Sequence, residues 1–460
     1  MISQPPFYLD RLTLLTGATR TANEPSILKG RFPAWTSFAA IFKADESPAQ
    51  GPYLVQIDLA VLEGSVEVGL ARPDDKIADG WLLTPSEGRV TATLFARDLS
   101  KIDALVLRSM TDQPLAVQVF SVTTNPLAPA ILPSMERTLT AFYDLRRNPA
   151  SFDFSMFLMA AEIERHDRML EDIFVVFLPP DHNARYYLPG GYDAVIDAGS
   201  RLWRMENILI AMLSLYPNVQ GHALLTDRRQ GYALNAGALH AYPPPATSDE
   251  IPIHLDYQRV LSCDAFTPGS AHRRPQATAQ GLRYAQQWLE GRAKGRKPVT
   301  ITLRQYGFDK GRNSDLDAWR RFLESLDLTT YFPIMIPDTD VALSAPPPGF
   351  ENCAVMPEAA FNLGLRMGLY ASAWLNLATN GGPMMLLMLG SNPAIIYGIH
   401  NAQSDFGSRR QLETVGYQMG QQPAFCGPFQ RLVWERDAVE TISGEFQRMA
   451  ALLNQREQTS

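Results

Sequence analysis

Two arginines set where an apolar strand gives way to a loop are the residues of this chain best suited to chemistry. Arg304 follows the run Val299 to Leu303, and Arg312 closes the loop RQYGFDKGRNSD behind it. Ligands of α/β sheets bind beyond the carboxyl ends of strands. Asn313, Ser314 and Asp315 are good caps for a helix expected from Leu316, whose free amides and positive dipole end favour an anion. A strand end, two guanidinium groups and a helix start together predict a phosphate cradle. The local charge agrees: from Arg273 to Arg321 there are 12 Lys and Arg against four acids, whereas the whole chain carries −7. Arg283, Arg292, Lys294 and Arg320 read as solvated helix surface, and only Arg304 and Arg312 sit at a strand end.

A second feature is Asn380-Gly381-Gly382-Pro383-Met384, which follows the apolar run AWLNLA. Two glycines allow a ligand close to the backbone, and proline fits the first turn of a helix because its missing N–H would be unpaired there. Exposed main-chain amides of such a turn neutralise a diphosphate without bulky side chains. Glu358, at the start of a helix of small apolar residues, is placed either to accept from ribose hydroxyls or to complement its own helix dipole. Asp338-Thr339-Asp340 has a D-x-D spacing that could hold a metal, but acidic turns after strands are common. Glu162 and His166, four apart on one helix, could form an oriented general base. His182, beside Asp181, is an equal competitor for that role. G-x-S-x-G, H-E-x-x-H and the Walker and G-x-G-x-x-G patterns are absent, and Cys263, Cys353 and Cys426 lie too far apart for a zinc-ligand spacing. No metal is expected at the site.

These residues need a scaffold, and the 460 residues are enough for about three domains. From Gly51 to Thr124 the apolar residues recur with period two between turn residues, which predicts an antiparallel sandwich of jelly-roll type over 1–125. Pro126, Pro129 and Pro133 mark a linker. Beyond them, helices and strands alternate. An amphipathic helix is predicted over 152–170 and a strand over 173–178, then a helix over 202–215 and a strand over 222–226. A proline-rich break near 242–252 separates this part, 126–250, from a second α/β part, 251–460. There the pattern predicts strands at 298–303, 331–336, 373–378 and 394–398, with helices at 277–293, 316–326, 357–370, 383–389 and 437–453. The fold class is therefore α/β, two Rossmann-like halves behind a β-sandwich.

The segments ITLRQYGFDKGRNSDLDAWRRFLESLD, YFPIMIPDTD and EAAFNLGLRMGLYASAWLNLATNGGPMMLLMLGSNPAIIYG resemble bacterial glycosyltransferases of the GT-B type, in particular surface-polysaccharide enzymes with a fucosyltransferase-like donor half. FDFSMFLMAAEIERHDRMLEDIFVVFLP is similar to the acceptor-side opening of such proteins. The resemblance runs from near Ala141 onward and departs at Thr302, where the fucosyltransferase pattern has a histidine. It implies that Arg304 and Arg312-Asn313-Ser314 meet the diphosphate of a nucleotide sugar, that Asn380-Gly381-Gly382-Pro383 closes over the same group, and that Glu358 lies near the nucleoside. It further implies metal-independent sugar transfer to a carbohydrate acceptor in a cleft between the two halves, with no cofactor beyond the nucleotide-sugar co-substrate. The sandwich is expected to serve carbohydrate binding or oligomerisation.

The competing expectation is a non-catalytic carbohydrate-binding or scaffold protein that keeps the fold. Single-stranded nucleic-acid binding is disfavoured, because the basic stretch lacks interleaved aromatics and the rest of the chain is acidic. The 38 residues from Met367 to Ser404 carry no charge from Asp, Glu, Lys or Arg, yet Asn-Gly-Gly-Pro and Gly-Ser-Asn-Pro divide them into pieces too short for a bilayer. The start MISQPPFYLDRL lacks a basic and an apolar leader region, so a reducing cytoplasm is expected.

Overall fold

The computed structural model describes residues 6–15, 17–20, 27–43, 50–85, 88–128, 135–180, 196–243, 255–262, 264–404 and 407–459. Pro129, Pro133, Asp181, His182, Cys263 and most of the proline-rich break lie outside the described residues. The chain divides into two compact units, one of Met1–Asp144, Val176–Arg185 and Ala223–Pro252, the other of Leu145–Val175, Tyr186–His222 and Ile253–Ser460.

In the first unit, two five-stranded antiparallel sheets form the expected sandwich. One holds Leu12–Leu14, Ser37–Phe42, Ala104–Ser109, Val66–Ala71 and Ile77–Leu83, in that spatial order; the other holds Thr19–Arg20, Ile27–Arg31, Pro114–Pro126, Tyr53–Glu63 and Arg89–Ala96. Alternate side chains such as Val55, Ile57, Leu59 and Val61 face one core with Val66, Val68 and Leu70, as period-two patterning requires. Among the described residues, four strands precede Gly51, where the sequence pattern began too late. They are short, and SFAAIF does not alternate because four of its six residues are buried.

The second unit is built on a six-stranded sheet. Its strands in chain order are β1 Lys297–Thr302, β2 Tyr331–Ile336, β3 Ala354–Val355, β4 Leu375–Thr379, β5 Ala394–Tyr397 and β6 Gln430–Leu432. The spatial order is β3-β2-β1-β4-β5-β6, and every adjacent pair is parallel. This is the doubly wound order, in which the connections change direction between β1 and β4 and leave a crevice beyond their carboxyl ends. Both strands are largely buried because both faces are covered, and the buried Thr300 donates to the Asn376 side chain at 2.6 Å across them. In the first unit, Thr138–Asp144 pairs in parallel with Ala241–Tyr242. The chain is thus α/β, with parallel sheets following an antiparallel sandwich.

The helix Phe154–Asp167, called α1, differs from its amphipathic expectation: residues 154–165 are all buried. Its polar members survive burial because they are paired, Glu162 with Arg165 and Glu164 with Arg259. The helix expected over 357–370 is broken into Glu358–Phe361 and Leu363–Ser372 by Asn362, whose side chain caps the second piece by accepting from the Leu365 amide at 2.9 Å. That second piece lies against the helix Ala279–Leu289 at backbone contact distance, because a Cβ on Gly368 would sit 2.1 Å from the Gly281 carbonyl oxygen. Gly368→Ala is therefore expected to destabilise the second unit by about 1–3 kcal/mol or more through overpacking. Denaturant unfolding checks this, and an unchanged midpoint would contradict the close approach.

Candidate functional site

A cavity of about 330 Å³ opens beyond the carboxyl ends of β1 and β4, at the place where the strand order reverses. Every residue that lines it belongs to the second unit. Arg304 and Arg312 come from the loop after β1, and Asn380, Gly381, Gly382, Pro383 and Met384 from the turn after β4. The two features that the sequence separates by some seventy positions share one wall because β1 and β4 are neighbours in register, Thr302 beside Ala378. A more open depression of about 480 Å³ lies along residues 282–295, with Lys294 and Glu290 as its charged groups.

The loop after β1 is folded around Arg304. Its Nη1 donates to the Asn313 Oδ1 at 2.5 Å and to the Asp309 carbonyl at 3.0 Å, and its Nη2 to the Phe308 carbonyl at 2.6 Å. The Ser314 hydroxyl accepts from the Arg304 amide at 2.8 Å and donates to Thr379 Oγ1 at 2.8 Å, which ties the ends of β1 and β4 together. Asn313 and Ser314 therefore position the arginine and do not line the cavity. The aliphatic stem of Arg304 lies over Gly381, where an added Cβ would meet its Cδ at 3.4 Å. Arg312 Nη2 reaches the Asn380 carbonyl at 3.4 Å, and its buried Nε finds no hydrogen-bond partner among the described residues.

The helix start after this loop differs from its expected role. Asp315 caps Leu316–Ser325 by accepting from the Ala318 amide, and Asp437 accepts from the Asp315 amide at 3.0 Å. Two carboxylates already occupy that helix end, so it offers nothing to an anion. The glycine turn takes over the part. Among the described residues the amides of Gly381 and Gly382 donate to no backbone carbonyl, whereas the Asn380 amide is taken by Tyr397. Gly382 faces Phe152, 2.7 Å from the nearest ring carbon to a built Cβ, so any side chain there would enter the cavity wall.

Electrostatics favour an anion. Arg204, Arg304, Arg312 and Arg366 line the cavity against Asp153 and Asp338. Arg366, only 2 % exposed, is held by the Ala359 carbonyl and the Tyr370 hydroxyl, and Arg204 by the Tyr306 hydroxyl at 2.8 Å. Oxygens without full charge hydrogen-bond these guanidinium groups, while Asp338 and Asp309 near Arg304, and Asp309 and Asp153 near Arg312, offset part of their charge without forming an ion pair among the described residues. Burial, with Arg312 close by, pulls the Arg304 guanidinium down to about 10, and burial also lowers Arg312. Arg304 still carries its proton at neutral pH.

Other expected site residues lie elsewhere. Glu162 is fully buried, its carboxylate taken by Arg165, by Asn218 and by the Arg273 amide at 2.8 Å. His166 instead faces His272, with ring centroids 3.9 Å apart. The helical spacing of 162 and 166 placed them correctly on one helix but could not show these partners, and neither lines the cavity. Glu358 is exposed at the first turn of its short helix, outside the cavity, because Asn362 turns the chain so that Ala360, Leu363 and Arg366 face inward. Asp338, unlike these, does line the cavity, but its carboxylate accepts from the Gln305 and Thr339 amides and so shapes the loops.

The acidic residue that the structure does bring to the cavity is Asp153, just before α1. A carboxylate there would ordinarily read as a helix cap, but Asp153 has helical backbone angles and makes no side-chain cap. It accepts instead from the Tyr257 hydroxyl and the Ser151 hydroxyl, each at 2.5 Å. Burial, then the Asp153 charge, raises Tyr257 well above the ordinary phenol range, so it stays a donor. Phe152, Trp203, Tyr306 and Phe308 supply apolar and aromatic surface around these groups, the mixture usual in small-molecule sites.

No protein-family model matches the chain, and no curated protein matches it. Among solved structures it is similar to the ADP-heptose lipopolysaccharide heptosyltransferase II of E. coli, at 11% identity over 70% of this chain and 99% of that one, with a TM-score of 0.41. It is also similar to the iron-containing dodecameric glycosyltransferase TibC of enterotoxigenic E. coli H10407, at 13% identity over 96% of this chain and 99% of that one, TM-score 0.34. A carbohydrate-binding module of Cellvibrio mixtus lichenase 5A is similar at 13% identity over 26% of this chain and 98% of that one, TM-score 0.20. These likenesses are to heptosyltransferases and a carbohydrate-binding module, not to fucosyltransferases. None reaches a TM-score of 0.5, and the functional reading rests on the cavity itself.

Proposed function

We propose that the chain is a glycosyltransferase that moves a sugar from a nucleotide-sugar donor to the hydroxyl of a carbohydrate acceptor. The observation that carries the reading is the meeting, in one cavity, of Arg304 and Arg312, which form no ion pair among the described residues, with the Gly381 and Gly382 amides, which donate to no backbone carbonyl among them. Bare peptide nitrogens and guanidinium forks are what a diphosphate binds. Asp153, on the same cavity, supplies the base. The acceptor oxygen attacks the anomeric carbon and gives its proton to Asp153; the anomeric C–O bond breaks, and its electron pair leaves on the diphosphate. Arg304 and Arg312 stabilise that growing charge, an interaction stronger in the transition state than before it. In this reading 126–250 is the acceptor half, 251–460 the donor half, and 1–125 a carbohydrate-binding or oligomerisation module. The likenesses to solved structures lend no support to a specifically fucosyltransferase-like donor half; the screen below addresses the donor's nucleoside diphosphate, not its sugar.

A thermal-shift screen with nucleoside diphosphates tests the donor side. A ligand at a hundred times its Kd stabilises by about 2.7 kcal/mol, so at least one diphosphate should raise the melting temperature where its nucleoside does not. A glycan-binding scaffold predicts no response to any of them.

A further inference from the structure

A second cluster, at the other end of α1, plays no part in the cavity. His166 and Asp167 on the last turn of α1 and His272 on the segment before Ala279–Leu289 each bring one ligand atom within 4.8 Å of the others. The two imidazole rings are tilted by 36° at 3.9 Å between centroids, and Phe266 packs edge-on against His272 at 5.4 Å. The Nε2 of His272 is buried and has no hydrogen-bond partner among the described residues. Buried polar atoms are nearly always satisfied, so an orphaned imidazole nitrogen beside a second imidazole marks a missing partner.

We propose that His166, Asp167 and His272 bind a divalent transition metal ion of the zinc class. Two imidazoles and one carboxylate suit zinc, nickel, cobalt or copper and not the all-oxygen preference of magnesium or calcium. Three protein ligands leave a fourth, tetrahedral position for water. Local charge permits a cation, since Arg165 and Arg168 are already paired with Glu162 and Glu164. Arg259 lies 3.7 Å from Asp167 but holds Glu164 at 2.5 Å, so Asp167 can turn to a metal without leaving Arg259 unpaired. At 1.5 Å of rise per residue the cluster is about 20 Å from Asp153 along α1. The ion therefore takes no part in sugar transfer; it clamps the end of α1 to the segment carrying His272.

The test uses the full chain, stripped by chelation and titrated with Co²⁺ followed by visible absorption, and with Zn²⁺ followed by calorimetry. The proposal predicts one equivalent bound, the d–d bands of a tetrahedral site with nitrogen and oxygen ligands, and a rise of a few degrees in melting temperature. His272→Ala and His166→Gln should each weaken binding by at least about tenfold, the smallest loss expected even from removing an outer partner of a ligand. Both metal-free variants should keep the wild-type circular dichroism and nucleoside diphosphate response, which separates this site from the cavity. Absence of Co²⁺ binding, binding that survives the double variant, or a thiolate-to-cobalt charge-transfer band would overturn the proposal.

Discussion

Arg304→Ala is expected to lower turnover by about two orders of magnitude or more, the loss seen when a single preorganised donor to a developing anion is removed. Two effects combine. The guanidinium carries positive charge into a cavity where, among the described residues, no carboxylate forms an ion pair with it although Asp338 and Asp309 lie near, and its Nη1 and Nη2 hold the Phe308 and Asp309 carbonyls and Asn313. Alanine removes the charge and releases the loop that presents Arg312. Arg304→Lys separates the two contributions, since a lysine keeps the charge but cannot reproduce a planar fork holding three acceptors. It should recover part of the diphosphate affinity and little of the turnover. Arg312→Ala, which leaves the Arg304 network intact, should weaken diphosphate binding without lowering the melting temperature of the free protein. Steady-state kinetics beside calorimetry checks all three variants, and wild-type turnover in Arg304→Ala would remove Arg304 from the mechanism.

The second large effect is expected at Asp153. Asp153→Asn keeps an oxygen to accept from Tyr257 or Ser151 but cannot take the acceptor proton, so turnover should fall by about 10²- to 10⁴-fold. Diphosphate affinity should change little, because the groups proposed to hold the diphosphate lie on the loops after β1 and β4. A loss confined to kcat is thus the signature of a base, whereas a collapse of binding would signal a purely structural carboxylate. Single-turnover kinetics with saturating donor measures this directly. Turnover within about threefold of wild type would assign the proton to another group, given the hundredfold floor expected of a general base.

The doubly wound sheet was legible in the sequence because its four central strands are mostly apolar runs, with Thr300, Thr302 and Asn376 as their inward polar members, ended by Arg304, Pro337, Thr379-Asn380 and Gly398. β3 and β6 were not, being two and three residues long, too short to show a period. The cavity wall formed by the loops after β1 and β4 was legible for the same reason: a strand end is a local property, and two strand ends meet as soon as the strands are neighbours. Asp153 and Tyr257 were not, since they meet across 104 residues and neither carries a local signal other than a cap-like aspartate. Arg366 reads as one more charged residue on a helix, yet it is buried and faces the cavity. Glu162 and His166 show the opposite error. Their spacing is a true statement about one helix, but the partners that define each of them, Arg165, Asn218, Arg273 and His272, come largely from elsewhere in the chain.

The central claim is that the rim between β1 and β4 holds a diphosphate. A crystal structure with a nucleoside diphosphate tests it most directly. The account predicts phosphate oxygens at hydrogen-bond distance, about 2.7–3.2 Å, from the Gly381 and Gly382 amides and from the Arg312 guanidinium. A diphosphate bound away from those groups, or a cavity left empty at concentrations that saturate the protein in solution, would contradict it.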